Sequence, residues 1–296
     1  MTQFLSLLLN GVSLGAIYAL IALGFVVIFK ASEVVSFMHG ALLLLGAFLI
    51  AELDSRLGFW GAAVVGVIGT AAAALLVERV LINRLRGAPV ISLAILTIGV
   101  DIIIVTEITR RIGSDILNVA HPWGGRVVHL GSVGITANRL LAIAVAAVLI
   151  ALFFLAFKFS SWGVAMRASA EDGEAAALMG IRQGRVSMVA WGVAGALAAV
   201  AGLFLVGAPT PGVTPGIEAV ALRAFPAAII GGLDSTGGAL VGGLIVGVTE
   251  SLAAGYQDQI AFLGRGFGDV VPYIVMVVVL LVRPSGLFGT RELTRV

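Results

Sequence analysis

FLSLLLNGVSLGAIYALIALGFVVIF, residues 4–29, carries no charged side chain from end to end. At about 1.5 Å of rise per residue, a helix of this run exceeds the hydrocarbon core of a bilayer, about 30 Å thick. Met1 to Asn10 contains neither Lys nor Arg, and the run is too long for the core of a signal peptide. It is therefore expected to remain as a membrane span. Further apolar runs follow near 33–51, 60–77, 89–108, 138–157, 187–207, 217–233, 237–255 and 268–282.

Composition agrees with that reading. The chain is 60% hydrophobic and only 11% charged, with a mean hydropathy of +1.12, whereas soluble domains carry about a quarter charged residues. Helices satisfy their own backbone hydrogen bonds, as lipid demands. The expected fold is an all-α polytopic membrane protein of about eight to nine transmembrane helices, forming one domain over 1–296. The 217–233 segment is short and holds Arg223 and Pro226. With the glycines that follow, it makes the region near 217–247 read as a broken or re-entrant helix.

Charge placement suggests an orientation. Arg79, Arg84 and Arg86 share one loop, and Lys158, Arg167, Arg182 and Arg185 another, about 158–186. Short loops rich in Lys and Arg face the cytoplasm. Lys30, Arg283, Arg291 and Arg295 then fall on the same side if 217–233 crosses fully, with the N-terminus outside. The loop 109–137 holds Arg110, Arg111 and Arg126, so the bias is imperfect. A pI of 9.4 does not argue for nucleic acid, because the basic residues form no single stripe. There is no cysteine, which excludes disulfides and thiolate chemistry. His39, His121 and His129 form no metal-ligand spacing, and no catalytic constellation is visible. The lysines, Lys30 and Lys158, do not follow glycine, so GGLDSTGGALVGG (231–243) is not a P-loop.

Against this background RASAEDGEAAALMGI, residues 167–181, stands out. Ser169 followed by Asp172 fits a capping box, and Glu171, Asp172 and Glu174 favour the positive end of a helix dipole. Gly180 suits a C-terminal cap. A helix over about 169–180 is expected, presenting Ala175, Ala176, Leu178 and Met179 on one face. A solvated connecting helix explains the same caps equally well from physics alone.

Several motifs carry a family resemblance. WGVAMRASAEDGEAAALMGI (162–181) resembles the coupling loop of LivH-type permeases, the membrane subunits of branched-chain amino acid ABC importers. Gly163, Arg167, Ala168, Asp172, Ala175, Ala176, Gly180 and Ile181 match that pattern. GVSLGAIYALIALGFVVIF (11–29) is similar to the family's first span, FPAAIIGGLDSTGGALVGGLIVGVTESL (225–252) to its late glycine-rich spans, and LLVRPSGLFG (280–289) to its C-terminal motif. SFMHGA (36–41) departs from the family's N-F-A-H-G-E at Ser36 and Ala41, and GGLDS (231–235) has Asp234 within the usual G-G-L-G-S.

The resemblance implies a permease domain in a bacterial inner membrane that binds no cofactor itself. Its implied partners are a second, related permease, two cytoplasmic ATPases that hold ATP and magnesium, and an extracytoplasmic substrate-binding protein. It also implies that Arg167, Ser169, Glu171, Asp172, Ala175, Ala176, Met179 and Gly180 form the ATPase-coupling site. Related permeases serve importers of urea, amides and aromatic acids. A stand-alone secondary transporter or channel is the competing class.

Polar and small residues within the spans complete the reading. Gly11 and Gly15, Gly238 and Gly242, and Gly243 and Gly247 have G-x-x-x-G spacing, which favours close helix packing within the bundle over subunit dimerisation. Ionisable groups in lipid are functional candidates. His39, Asp101 and Arg223 are assigned to a substrate pathway, with Asp101 and Arg223 as partners, although His39 also fits simple packing at a helix start. Glu107 and Glu250 fall near span ends, where water is expected to reach them.

Overall fold

A computed structural model describes residues 2–85, 87–113, 115–130, 133–207, 212–214, 216–259 and 266–290. Arg86, Arg291 and Arg295 of the orientation argument lie outside the described residues. The opening run forms α1 (Thr2–Ser32), buried around its whole circumference from Gly15 to Ile28. A helix that is apolar on every side belongs in a core, and α1 is the post around which the bundle is built.

The next two apolar runs form α2 (His39–Val77), which doubles back at Gly58. There φ is 68° and ψ 166°, a conformation glycine adopts without the Cβ clash other residues suffer. The arms, 39–57 and 59–77, lie side by side: a Cβ on Gly69 would sit 3.1 Å from Leu49, and one on Gly46 3.3 Å from the Thr70 hydroxyl. A straight helix would hold residues 46 and 70 about 36 Å apart. The second arm continues through a π turn, Glu78–Ile82, and a 3-10 turn, Asn83–Leu85.

α3 (Val90–Ile112) and α4 (Ala137–Phe159) pack on the outside. They turn Ile91, Ile102 and Ile103, and Val148, Leu152 and Leu155, away from the protein. Between them, β1 (Val127–Leu130) and β2 (Val133–Thr136) form an antiparallel hairpin that the all-helical expectation did not contain. In the same connection, His121 packs against Phe59 and Trp123 at ring separations of 5.4 and 5.2 Å. Burial holds its pKa below the ordinary histidine value, outweighing the opposite pull of Asp54.

Two short helices, α5 (Ser161–Glu171) and α6 (Gly173–Leu178), precede α7 (Gln183–Leu205), which packs against both α2 and α1. Then come α8 (Ala219–Gly231), α9 (Thr236–Gly255) and α10 (Phe267–Val282). Among the described residues, six helices are long and apolar enough to cross a membrane, with α2 and its continuation counted once. Folding α2 in two and adding the shorter α8 and α10 gives nine alternating segments among the described residues. Gln3 and Thr290 therefore lie on opposite faces. Gln3 donates to the Gly255 carbonyl at one (3.5 Å), and Lys30 to the Asp234 carbonyl at the other (2.9 Å).

The 217–233 segment resolves into coil followed by helix. Val213 pairs with Leu117 of the α3–α4 connection, and the chain then reaches Glu218, against Gly40 at the start of α2. With 13 residues, α8 spans about 20 Å. Ahead of it, Gly212 and Val213 are buried coil packed against the α3–α4 connection, the setting that non-helical backbone requires in a membrane.

Glycines set how closely α9 meets its neighbours. Gly243 and Gly247 face α1: a Cβ on Gly243 would lie 2.6 Å from the Ala19 Cα, and one on Gly247 would fall on Gly15. A Cβ on Gly11 would lie 2.7 Å from the Val248 Cα. Gly238 and Gly242 face α8 instead, where added methyls would fall on the carbonyls of Gly231 and Ala227. The two consecutive G-x-x-x-G pairs thus line different seams of one subunit.

Candidate functional site

The capped helix expected at 169–180 is two helices. Ser160 ends α4 and accepts the Gly163 amide at 3.1 Å, so α5 starts earlier than its acidic residues suggest. Ser169 lies inside α5 and is not an N-cap, which corrects the capping-box reading. The break falls at Asp172, with φ −153° and ψ 102°. Its carboxylate accepts the Ala175 amide at 2.9 Å and caps α6. At the other end, Gly180 has φ +86°. Its amide donates to Ala177 and that of Ile181 to Ala176, both at 3.0 Å, the pairing of a Schellman motif.

This elbow is fastened to the bundle on two sides. Arg167 donates to the terminal carbonyls of Phe157 and Lys158 and lies over the Phe157 ring, 5.2 Å from its centroid. It thus places positive charge at the negative end of α4. The Trp162 indole donates to the Val186 carbonyl of α7 at 3.2 Å, and the Gln183 amide of α7 donates to the Gly173 carbonyl of α6.

Ala176 turns inward and is buried, so it does not belong to an exposed face with Ala175. The expected face is corrected: Leu178 and Met179 project outward, 89% and 83% exposed, beside exposed Glu171, Asp172, Glu174 and Ala175. Two adjacent large apolar side chains in water, on backbone fixed by two caps, form a surface suited to a partner's groove.

The polar groups within the spans are sorted differently from the expectation. Asp101 and Arg223 are not partners. Asp101 accepts the Ala41 amide at 3.0 Å, and Thr97, one turn earlier on α3, accepts the Phe37 amide at 3.0 Å. Met38 supplies no side-chain cap for α2, so α3 satisfies the Ala41 amide that the helix start would leave open and the Phe37 amide just before it. His39 begins α2, fully buried, with its ring 4.5 Å from that of Phe25 and, among the described residues, neither nitrogen hydrogen-bonded.

Arg223 bridges Glu250 of α9 at 3.4 Å and Asp269 of α10 at 2.8 Å. Glu250 is only 7% exposed, more buried than its position near a span end suggested, and it also accepts the Tyr18 hydroxyl of α1 at 2.7 Å. Four helices therefore share one polar cluster that sequence spacing does not reveal. Glu107 pairs with Arg110 and Arg111 at the exposed end of α3.

Two motifs far apart in sequence also meet. Asp234 accepts the Thr290 amide at 2.8 Å, while Leu287 and Phe288 donate their amides to Ile230 and Gly231. The unusual acid in GGLDS thus fastens the C-terminal segment across the α8–α9 turn.

The family model for branched-chain amino acid transport system permease components matches residues 7–280. The high-affinity branched-chain amino acid transport system permease protein LivH of Salmonella typhimurium is 32% identical, covering 99% of this chain and 98% of that protein. LivH of Escherichia coli K12 shows the same identity and coverage. BraD of Pseudomonas aeruginosa, named as the corresponding permease, is 30% identical over 99% of this chain and 98% of its own length. No solved structure matches the chain.

Proposed function

This chain belongs to the family of branched-chain amino acid transport system permease components, and on that premise we propose that it is the membrane-spanning subunit of an ATP-driven importer. The cargo is a branched-chain amino acid, as the relatives' names state for them. The membrane is a bacterial inner membrane. ATP and magnesium are bound and turned over by two cytoplasmic ATPases, a second related permease completes the pathway, and a soluble receptor delivers the amino acid from outside.

One observation carries the coupling step: Leu178 and Met179 stand exposed on a six-residue helix capped at both ends. A groove on the ATPase receives this pair. Force applied there passes through Arg167 to α4 and through Gln183 and Trp162 to α7. Because α7 packs against α2 and α1, rigid displacement of the elbow moves the core between outward-open and inward-open arrangements.

The test replaces Leu178 and Met179 with Glu and measures two things in membrane vesicles: ATP-dependent leucine uptake, and the amount of ATPase subunit retained on the permease. Uptake and retention should both fall about tenfold or more, as expected when an interface anchor is lost, while the permease remains folded in the membrane. Uptake at the normal rate would overturn the assignment of the elbow. Uptake that persists with no ATPase present would instead make the chain a stand-alone carrier.

A further inference from the structure

A cavity of about 450 Å³ opens between the first half of α1, the start of α4 and the ends of α7 and α9. These segments meet on the face opposite the α5–α6 elbow, the side from which an importer receives its cargo. Among the described residues, two ionisable side chains line it, Arg139 of α4 and Glu250 of α9. Much of the remaining wall is apolar, including Leu14, Ile17, Ala142 and Phe204.

Arg139 is the anomaly. It is half-buried, and among the described residues no acid pairs with its guanidinium; the Ser13 hydroxyl bonds to its backbone carbonyl instead, at 3.1 Å. It also lies in the first turn of α4, where the helix dipole disfavours a cation. Neither helix stability nor ion pairing accounts for it, and an unpaired charge drawn out of water is costly. A ligand carboxylate would offset that cost with two parallel, charge-assisted hydrogen bonds.

Glu250 offers the opposite charge. It holds the Tyr18 hydroxyl at 2.7 Å, but Arg223 only at 3.4 Å, because that guanidinium lies closer to Asp269, at 2.8 Å. A carboxylate has about four lone-pair sites, so capacity for an ammonium donor remains.

We propose that this cavity binds a free amino acid on the permease itself. Arg139 takes the α-carboxylate, Glu250 the α-ammonium, and Ile17, Ala142 and Phe204 the aliphatic side chain. The proposal rests on the importer reading and deepens it, since selection for a zwitterion with an apolar side chain then operates in the membrane subunit as well as in the soluble receptor. A phosphatidylethanolamine headgroup carries the same pair of charges and is the alternative source of that chemistry.

The test uses the assembled transporter, permeases with ATPases, in phosphatidylglycerol nanodiscs without the soluble receptor, and follows tritiated L-leucine by scintillation proximity. Saturable binding is expected. Leucinamide, which lacks the carboxylate, and 4-methylpentanoate, which lacks the ammonium, should compete at least about tenfold more weakly than leucine, since each loses a charged hydrogen bond. Arg139→Gln and Glu250→Gln should weaken leucine binding by about tenfold or more, and Arg139→Lys should recover part of the loss at Arg139. Retained ATPase subunits report assembly. Should Arg139→Gln fail to assemble, Arg139→Lys, Glu250→Gln and the two competitors decide. Absent leucine binding, equal competition by either analogue, or unchanged affinity in both Gln variants overturns the site. Leucine binding abolished by added phosphatidylethanolamine overturns it in favour of the lipid. Receptor-driven leucine uptake by the unaltered transporter separates the two levels: uptake without this site defeats only the site, whereas failure of uptake defeats the importer reading.

Discussion

The seam between α1 and α9 and the elbow of α5 and α6 are held by opposite means. In the seam, Gly11, Gly15, Gly243 and Gly247 bring two backbones so close that added Cβ atoms would strike the neighbouring chain. Packing there comes from the absence of side chains, and the surface is hidden. The elbow has little buried apolar area: Gly163, Met166 and Ala176 are its buried residues. Directed hydrogen bonds at Ser160, Arg167, Asp172 and Gly180 hold it instead. The difference teaches where each property resides. The seam fixes the fold, whereas the elbow can lose much of its order without unfolding the bundle.

The largest effect should follow from opening the seam. Gly247→Leu places a branched side chain where even a methyl would fall on the Gly15 backbone. Overpacking typically costs about 1–3 kcal/mol, and more where backbone must move. Folded permease recovered from membranes should drop severalfold, with uptake falling in proportion. A variant that accumulates normally and has an unchanged melting temperature would remove the seam's claim to govern stability.

A milder change keeps the helices in contact and removes only their polar clasp. Tyr18→Phe deletes the hydroxyl that α1 donates to Glu250 of α9 at 2.7 Å. Arg223 still faces that carboxylate, so the loss should be about 1–2 kcal/mol, the range for a buried bond whose acceptor retains another partner. The melting temperature of the purified complex should fall while assembly with the ATPases is retained. No change in melting would show that the glycines alone hold the seam.

The sequence exposed these regions unequally, for physical reasons. Apolar runs and G-x-x-x-G spacing are local patterns, so the α1 and α9 spans and their small-residue faces were readable. That Gly238 and Gly242 serve α8 while Gly243 and Gly247 serve α1 depends on where three helices lie, and no spacing records it. The same limit hid the cluster of Tyr18, Arg223, Glu250 and Asp269, whose members come from four helices. It also misdirected Asp101, whose partner is a backbone amide and so leaves no trace in residue identities. In the elbow the composition was readable but not the break. Ser169 and Asp172 fit a capping box as letters, yet Ser160 had already started α5, leaving Asp172 to cap the next helix.

That break supplies the smallest and most discriminating change. α6 is six residues long, far below the length at which a helix persists alone, so its caps and anchors hold it. Asp172→Ala removes the bond to the Ala175 amide, a loss of about 1 kcal/mol for an N-cap. In the seam that loss would be shared with a packed core; at the elbow it falls on one exposed turn. The melting temperature should therefore stay within error, while ATP-dependent uptake falls severalfold because Leu178 and Met179 are no longer held in one orientation. Asp172→Asn keeps a side-chain acceptor and should retain most of the uptake, which separates loss of the cap from loss of the charge. Equal loss in both variants would mean that the ATPase reads the carboxylate itself, making Asp172 a contact residue in addition to the cap.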